Sequence, residues 1–489
     1  MSAAKHTGYN LLGALIPISV SLLTTPIYIR LIGEARYGVL AIVWSLLGYF
    51  GVFDLGLGRA TSQRIAALGN SSPQLISSTF WTALAMNAAL GSFGGMLIWP
   101  VANYYFRYTI SLGSDLRSEL WPALPWLMFA VPLTTMSGVV GGALQGRAQF
   151  LELNVISVTS TVLVQTLPLI VAWGFGPDLA LLLPAVILIK FFTFIAGFWR
   201  CKIHVFRDQA PLLACSDAKS LLRFGGWVTI SSLIDPLMSI LDRFVIGAKV
   251  SASAVTYYSV PFQLGERSLV LSVAITSALF PRFATANAIE REQLAKIALR
   301  SLVAVTTPVM VVAVLLVEPF LGFWISPEFA ANANGTAQIL LLGFWINGVA
   351  AVPFAQLQGA GRPDVTAKFH MAELLPYLIA LFVGLYIWGL PGAAAAFSLR
   401  VVGDCVLLLW FAEMLPSEVA TLRVPALLLL GALGSAIGWT FCSTMWWLAA
   451  VSLSVVALGW SLWCAPAEMR ELAIGVLKKL LASMREALR

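Results

Sequence analysis

The sequence predicts an all-α polytopic membrane protein, and three observations carry that prediction. Only 11% of the 489 residues are charged while 59% are hydrophobic, and the mean hydropathy is +0.87; a soluble domain carries roughly 25% charged residues. Apolar segments recur along the whole chain, each of the roughly 20 residues a helix needs to cross about 30 Å of hydrocarbon. Inside a bilayer only helices and closed barrels satisfy their own backbone, and runs this continuous lack the alternation of barrel strands. The expected architecture is about 14 transmembrane helices, in two parallel six-helix repeats plus two C-terminal helices.

The first span, 9–30, follows a single lysine, Lys5, and has no small-residue cleavage site behind it. It reads as a retained helix, not a removed signal peptide. Further spans are expected at 38–58, 76–106, 121–145, 150–173, 179–200, 221–247, 254–281, 297–317, 336–358, 368–388, 391–413, 423–441 and 445–464. An even number of crossings puts both termini on one side. Placing the N-terminus in the cytoplasm leaves 21 Lys and Arg inside and 6 outside, with Lys190, Arg267 and Arg400 within spans, which accounts for all 30. That bias sets the orientation expected for a bacterial inner (cytoplasmic) membrane protein.

The chain also repeats itself. Leu144-Gln145-Gly146 returns as Leu357-Gln358-Gly359, Trp173-Gly174 as Trp388-Gly389, and Arg30 has a counterpart in Arg243, at offsets of 213, 215 and 213. A duplicated unit of six spans keeps both halves in the same orientation. The predicted division is an N-terminal lobe at 1–205, a C-terminal lobe at 206–416, and an appendix at 417–489 holding the last two spans. The linker 201–222 is polar and basic. At the end of the chain, Met469, Leu472, Ala473, Val476, Leu480 and Met484 form one helical stripe, with Arg470, Lys478, Lys479, Arg485 and Arg489 mostly off it. This suits a basic amphipathic helix lying on anionic lipid or docked on the protein.

The formal charge of +7 in a chain this apolar points to membrane orientation and not to nucleic acid. Five widely spaced cysteines, Cys201, Cys215, Cys405, Cys442 and Cys464, suggest neither a disulfide framework nor a metal site. The sequence contains no Gly-x-x-x-x-Gly-Lys-Ser/Thr segment, so direct use of ATP is not expected, and no cofactor is implied.

Charges within spans are the candidate functional groups, because one at a helix centre costs roughly 2.5–3.5 kcal/mol on insertion scales. Arg30, Lys190, Arg243 and Arg267 are read as cations lining a central cleft that holds an anionic headgroup; the guanidinium fork suits phosphate. The competing reading of Arg30 and Arg243 is that they snorkel from helix ends to the interface. Asp235, Asp242 and Glu373 are candidates for ion coupling, because a carboxyl in a low-dielectric cleft binds a proton or cation more readily. Asp242 also serves as charge balance for the adjacent Arg243. Arg400 and Asp404, four apart, are expected to pair within their helix. Tyr28, Trp44, Tyr49, Tyr257, Tyr258 and Trp345 are aromatic enough to stack on sugar rings, though most aromatics of such a chain pack or face lipid.

One ordered set of residues carries a resemblance: Arg30-Leu31-Ile32-Gly33, then Tyr37-Gly38, then Asp54-Leu55-Gly56-Leu57-Gly58. It resembles the opening of the polysaccharide-transporter (Wzx-type O-antigen flippase) family, within the superfamily that also holds multidrug extruders and lipid II flippases. The resemblance implies a flippase that moves undecaprenyl-diphosphate-linked oligosaccharide from the cytoplasmic to the periplasmic leaflet by alternating access. It implies a diphosphate as partner of the cleft cations, H+ or Na+ as counter-ion, membrane lipids as surroundings, and polysaccharide polymerase machinery as a neighbour. Asp54 is read first as part of a helix-terminating signature and second as a coupling site. Two alternatives stay open. A multidrug or cation antiporter would favour carboxylates in its cleft. A membrane-bound glycan polymerase or ligase would need an acid/base constellation on the outer side, whereas His6, His204 and His370 all fall on segments assigned to the cytoplasm.

Overall fold

The structure is a computed structural model that describes residues 3–69, 72–206, 209, 213–214, 238, 240–466 and 470. Its contacts divide the chain into two compact units, Met1–Thr256 and Tyr257–Arg489. Every regular element among the described residues is helical. Ten of the helices are long and apolar enough to cross a membrane, and shorter apolar helices run at Ile16–Ile32 and Val270–Phe280. The chain is therefore a multi-pass, all-α membrane protein.

The first unit opens with α1 (Ala3–Ile32). Gly33, at φ 80°, reverses the chain into α2 (Glu34–Tyr49), whose residues Tyr37 to Val43 are wholly buried. The expected span 38–58 does not continue as one helix. It passes through a 3-10 turn, Phe50–Asp54, and then through Leu55 and Gly56, both left-handed at φ 47° and 68°, before α3 (Leu57–Leu68) starts. Glycines at 48, 51, 56 and 58 weaken the helix there. Asp54 fixes the new start by accepting the Gly58 N–H at 3.1 and 3.0 Å and a bond from Asn87 Nδ2.

Next comes α4 (Pro73–Tyr104), which ends in a wider π turn, Tyr105–Thr109. The expected span 121–145 is likewise split: α5 (Ser114–Ala123) is short and polar, and α6 (Trp126–Gly146) begins after Pro125. A proline offers no N–H to continue the preceding turns. α7 (Phe150–Phe175) and α8 (Leu179–Cys201) follow. The sequence placed spans 5 and 6 at 150–173 and 179–200, within two residues of these helices at every end.

α6 packs against α3, α4 and α8. Its face toward α3 is a stripe of Gly138, Gly142 and Gly146. A Cβ on Gly142 would stand 2.0 Å from the Gly58 carbonyl oxygen, and one on Gly146 would stand 2.7 Å from that of Ser62. Toward α4, glycines on the partner do the same: a Cβ on Gly91 would meet Pro132 Cα at 2.5 Å, and one on Gly95 would meet Met128 O at 2.6 Å. Lipid gives no hydrophobic drive to bring helices together, so close backbone approach over small residues supplies the dispersion contact that holds them. The helical stretch 240–249 packs on this unit as well: Tyr105 Oη donates to Phe244 O at 2.9 Å, and the Ser111 N–H donates to Gly247 O at 3.2 Å.

α9 (Ala252–Arg267) straddles the division between the units. The expected span 254–281 breaks at Ser268–Leu269, before α10 (Val270–Thr285), just after the adjacent charges Glu266 and Arg267. The second unit continues with α11 (Ala288–Trp324), α12 (Pro327–Gly359), α13 (Pro363–Trp388), α14 (Leu390–Phe411), α15 (Leu415–Gly438) and α16 (Thr444–Cys464). Side chains of Asn287, Ser326 and Ser443 cap the first turns of α11, α12 and α16. α12 lies between α11 and α14, while α15 and α16 rest on α11. α15 is tied there by Glu418, fully buried, which accepts from Arg300 Nε and Nη2 at 3.2 and 2.9 Å, and α16 by Ser461 Oγ, which donates to Ala304 O.

An offset of 213 relates one helix of each unit and the turns that flank it. α7 and α13 are both 26 residues long, and both of their bounds are offset by 213. The turn before each is the same: the Gln149 N–H bonds to Leu144 O and the Arg362 N–H to Leu357 O, with Ala148 and Gly361 left-handed between. After each helix the chain turns at a left-handed glycine, Gly176 or Gly389. The expected span 221–247 lies mostly outside the described residues, and so do Asp235 and, apart from Arg470, the amphipathic segment 468–489.

Candidate functional site

Of the four predicted headgroup cations, Lys190 lines a defined cavity. It projects from α8 into a cleft of about 230 Å³ enclosed by α6, α7 and α8. Thr134 and Ser137 on α6, Ser157, Ser160 and Thr161 on α7, and Thr193 on α8 add hydroxyls to its wall. Thr134, Ser137, Thr161 and Thr193 each donate to the carbonyl four residues earlier, at 2.6–2.9 Å. That bond occupies the one proton of each hydroxyl and leaves its oxygen as an acceptor. Room for the cavity comes partly from Gly141, where a Cβ would meet nothing nearer than Leu153 Cδ1 at 3.4 Å. A single ammonium among hydroxyls can hold an anionic group through its charge and sugar hydroxyls through hydrogen bonds.

The three arginines stand elsewhere. Arg30 is exposed near the end of α1. Arg243 is 7% exposed and its neighbour Asp242 is 0% exposed, with the Arg243 N–H donating to Asp242 Oδ1 at 2.7 Å. Burial corrects the snorkelling expectation for Arg243. Arg267 ends α9, half-buried. None of the three belongs to the wall of the Lys190 cavity.

The second unit has a different chemistry at the equivalent place. Adding 213 to Ser157, Ser160 and Gly141 gives His370, Glu373 and Phe354. The Phe354 ring lies flat on His370, with centroids 6.0 Å apart and planes at 10°. His370 Nε2 stands 4.0 Å from Asp404 Oδ1 on α14, both side chains 14% exposed. The Arg400 guanidinium lies 5.5 Å from the rings of Tyr377 and Phe397. Where the first unit has a glycine beside its lysine cavity, the second has a ring, a histidine and two carboxylates.

The sequence reading missed His370, assigning it to a cytoplasmic segment. It lies about two turns into α13, and its spacing of three and seven from Glu373 and Tyr377 puts all three on one face, which was the available signal. For Arg400 and Asp404, expected as a mutual pair, the structure gives aromatic neighbours to one and a histidine to the other.

Asp54 fits the helix-boundary reading made for it. The sugar-stacking reading fails for most of the aromatics named. Tyr28, Tyr37 and Trp44 form a packed triad with centroids 5.5–6.0 Å apart, and Tyr28 Oη donates to Gln165 O at 2.8 Å. Tyr258 and Trp345 are buried.

Comparison with known proteins decides the family. A family model described as "Polysaccharide biosynthesis protein" matches residues 3–287, more than half of the chain. The chain belongs to that family. A Shigella flexneri protein named as a candidate O-antigen transporter is 26% identical over 411 residues, covering 84% of this chain and 97% of its own length. Among solved structures, the lipid II flippase MurJ in an inward closed conformation matches with a TM-score of 0.68 at 13% identity, over 93% of this chain and 97% of MurJ. An inward-facing multidrug resistance MATE transporter of the MOP superfamily matches at 0.66 and 15% identity, over 84% of this chain and 99% of that one. At such identities the structures establish the fold alone.

Proposed function

We propose that this family member is a flippase. It carries an undecaprenyl-diphosphate-linked oligosaccharide, an O-antigen or other polysaccharide repeat unit, from the cytoplasmic to the periplasmic leaflet of the inner membrane. Its two six-helix lobes alternate in access around the substrate, with both termini in the cytoplasm. The observation that carries this reading is the cavity around Lys190, which offers a cation to an acidic group and hydroxyls to a saccharide within one recess. Arg30, Arg243 and Arg267 serve the diphosphate at other stages of the passage, and prolines inside α1, α6, α11 and α13 let these helices bend.

Ion coupling is assigned to Glu373 with His370 and Asp404, and to Asp235 and Asp242. A proton or cation bound there shifts the balance between inward and outward states by its differential affinity for them. The same cluster favours a second reading, a multidrug or cation antiporter, because carboxylates receive cationic drugs.

The test is uptake in proteoliposomes of a lipid-diphosphate-linked saccharide beside an organic cation, with Lys190→Ala and Lys190→Arg. The flippase reading expects saccharide transport to fall at least tenfold in Lys190→Ala and to be partly kept in Lys190→Arg, with no transport of the cation. Cation transport that ignores Lys190 and is lost in Glu373→Gln would replace it with the antiporter.

A further inference from the structure

The α7–α8 pair has a second recess on its opposite side. This groove, of about 630 Å³, shares only Ile156 with the wall of the Lys190 cavity. Its floor and sides are apolar, with Leu151 and Val155 from α7 and Phe192, Ile195 and Trp199 from α8. Val155 is 56% exposed, Phe192 64% and Trp199 61%, so the groove opens sideways to the surroundings of the helices. From residue 192 to 200 it runs about 12 Å along the helix axis, most of the roughly 15 Å depth of one hydrocarbon leaflet.

One end of the groove is polar and mostly cationic. Glu152 and Arg200 close it, bonded through Arg200 Nε to Glu152 Oε2 at 2.9 Å and through a second, parallel contact. The Arg200 side chain is still 43% exposed. His204 Nε2 stands 3.0 Å from the same carboxylate, and Arg147 Nε donates to His204 O at 3.2 Å. Lys202 Nζ is exposed and stands 5.6 Å from the Trp199 ring. Two permanent cations, Arg200 and Lys202, stand here with one carboxylate, and Arg147 is bonded to the carbonyls of His204 and Gly69. The backbone widens into a π turn, Lys202–Phe206, at the same point, a distortion that recurs at functional sites.

We infer that this groove is a resident site for one bilayer phospholipid with an anionic headgroup. An acyl chain fills the apolar trough, Trp199 stands at the level of the glycerol, and the phosphate meets Lys202 and the exposed edge of Arg200. Apolar trough, interfacial tryptophan and excess positive charge follow one another along the helix in the order in which a phospholipid presents its chain, its glycerol and its headgroup. The charge excess selects an anionic lipid over a zwitterionic one. The bound lipid clamps the outer faces of α7 and α8, and through Ile156 it braces the wall of the Lys190 cavity.

The inference is tested without any transport measurement. Full-length protein is placed in nanodiscs of phosphatidylcholine, with or without phosphatidylglycerol. Retained lipid is identified by native mass spectrometry after detergent exchange, and unfolding is followed by heating. Wild type is expected to retain one phosphatidylglycerol and to unfold several degrees higher when that lipid is present. Lys202→Glu is expected to lose both effects. Ala196→Trp fills the trough without changing any charge and is expected to lose the lipid while keeping the fold. Lys368→Ala, at an exposed lysine on α13, is expected to behave as wild type. Retention of phosphatidylglycerol by Ala196→Trp and Lys202→Glu would overturn the site. So would equal stabilisation by phosphatidylcholine, or retention of a polyprenyl diphosphate in place of the phospholipid.

Discussion

Replacing Gly142 by alanine asks whether α3 and α6 are held by backbone contact. The added Cβ would lie 2.0 Å from the Gly58 carbonyl oxygen and 2.8 Å from its carbon. An ordinary carbon–oxygen contact is roughly 3.3–3.6 Å, so the helices must part by more than about 1 Å over a stripe that also includes Gly138 and Gly146. Backbone on both sides leaves no flexible side chain to give way. Forced overpacking of this kind costs about 1–3 kcal/mol. A shift of α3 would also strain the bonds from Gly58 and Asn87 to Asp54, each worth about 1 kcal/mol. Alanine returns about 1 kcal/mol through helix propensity, which leaves a net loss of about 2 kcal/mol. Gly141→Ala supplies the control on the same helix: its Cβ meets only Leu153 Cδ1 at 3.4 Å, so the propensity gain of up to about 1 kcal/mol stands nearly alone. Both variants would be followed by denaturant titration in nanodiscs against wild type. A Gly142→Ala protein as stable as Gly141→Ala would refute the claim that this contact holds the unit together.

Other expectations follow from single interactions. Glu418→Ala removes a fully buried carboxylate and strands Arg300, whose side chain is 46% exposed; the loss should be about 2 kcal/mol, below the 3–5 of a wholly buried pair, and limited proteolysis should reach α15 and α16 first. Asp54→Ala leaves the Gly58 N–H and Asn87 without their acceptor and should cost about 1–3 kcal/mol, with Asp54→Asn milder, as read by thermal unfolding. Arg36 bonds to Glu119 and holds its carboxyl below the usual carboxylate range. A depressed folded-state pKa gives stability that is present above the unfolded value and lost as pH falls through the folded one. Thermal midpoints should therefore drop in this acid window below about pH 4.5, and Glu119→Gln should flatten that dependence.

Much of the architecture was legible because lipid imposes a blunt rule: a span must be long and apolar. The boundaries of α7, α8, α14 and α16 could be read almost to the residue, since glycine, proline or polar residues mark the turns that flank each of them. The rule fails where an apolar run hides a break. Val52 to Leu57 is apolar enough to pass for the end of a span, yet four glycines between 48 and 58 and the carboxylate of Asp54 make it a 3-10 turn and a new start. Leu124-Pro125 does the same before α6. Charge inside a span was a sound guide to where chemistry lies but not to what stands beside it. Lys190 was found as a cation, while its hydroxyl surroundings were invisible because serine and threonine are ordinary in any transmembrane helix. His370 was passed over because it stands near a predicted boundary; only the fold shows it turned toward Asp404.

Gly141 and Phe354 occupy one address in a doubled plan, and they differ by a whole phenyl ring. The backbone turn is copied while the upholstery is not: one unit has a bare glycine where the other sets a ring beside His370. Exchanging the two residues, Gly141→Phe with Phe354→Gly, should carry the vacancy across to the other copy.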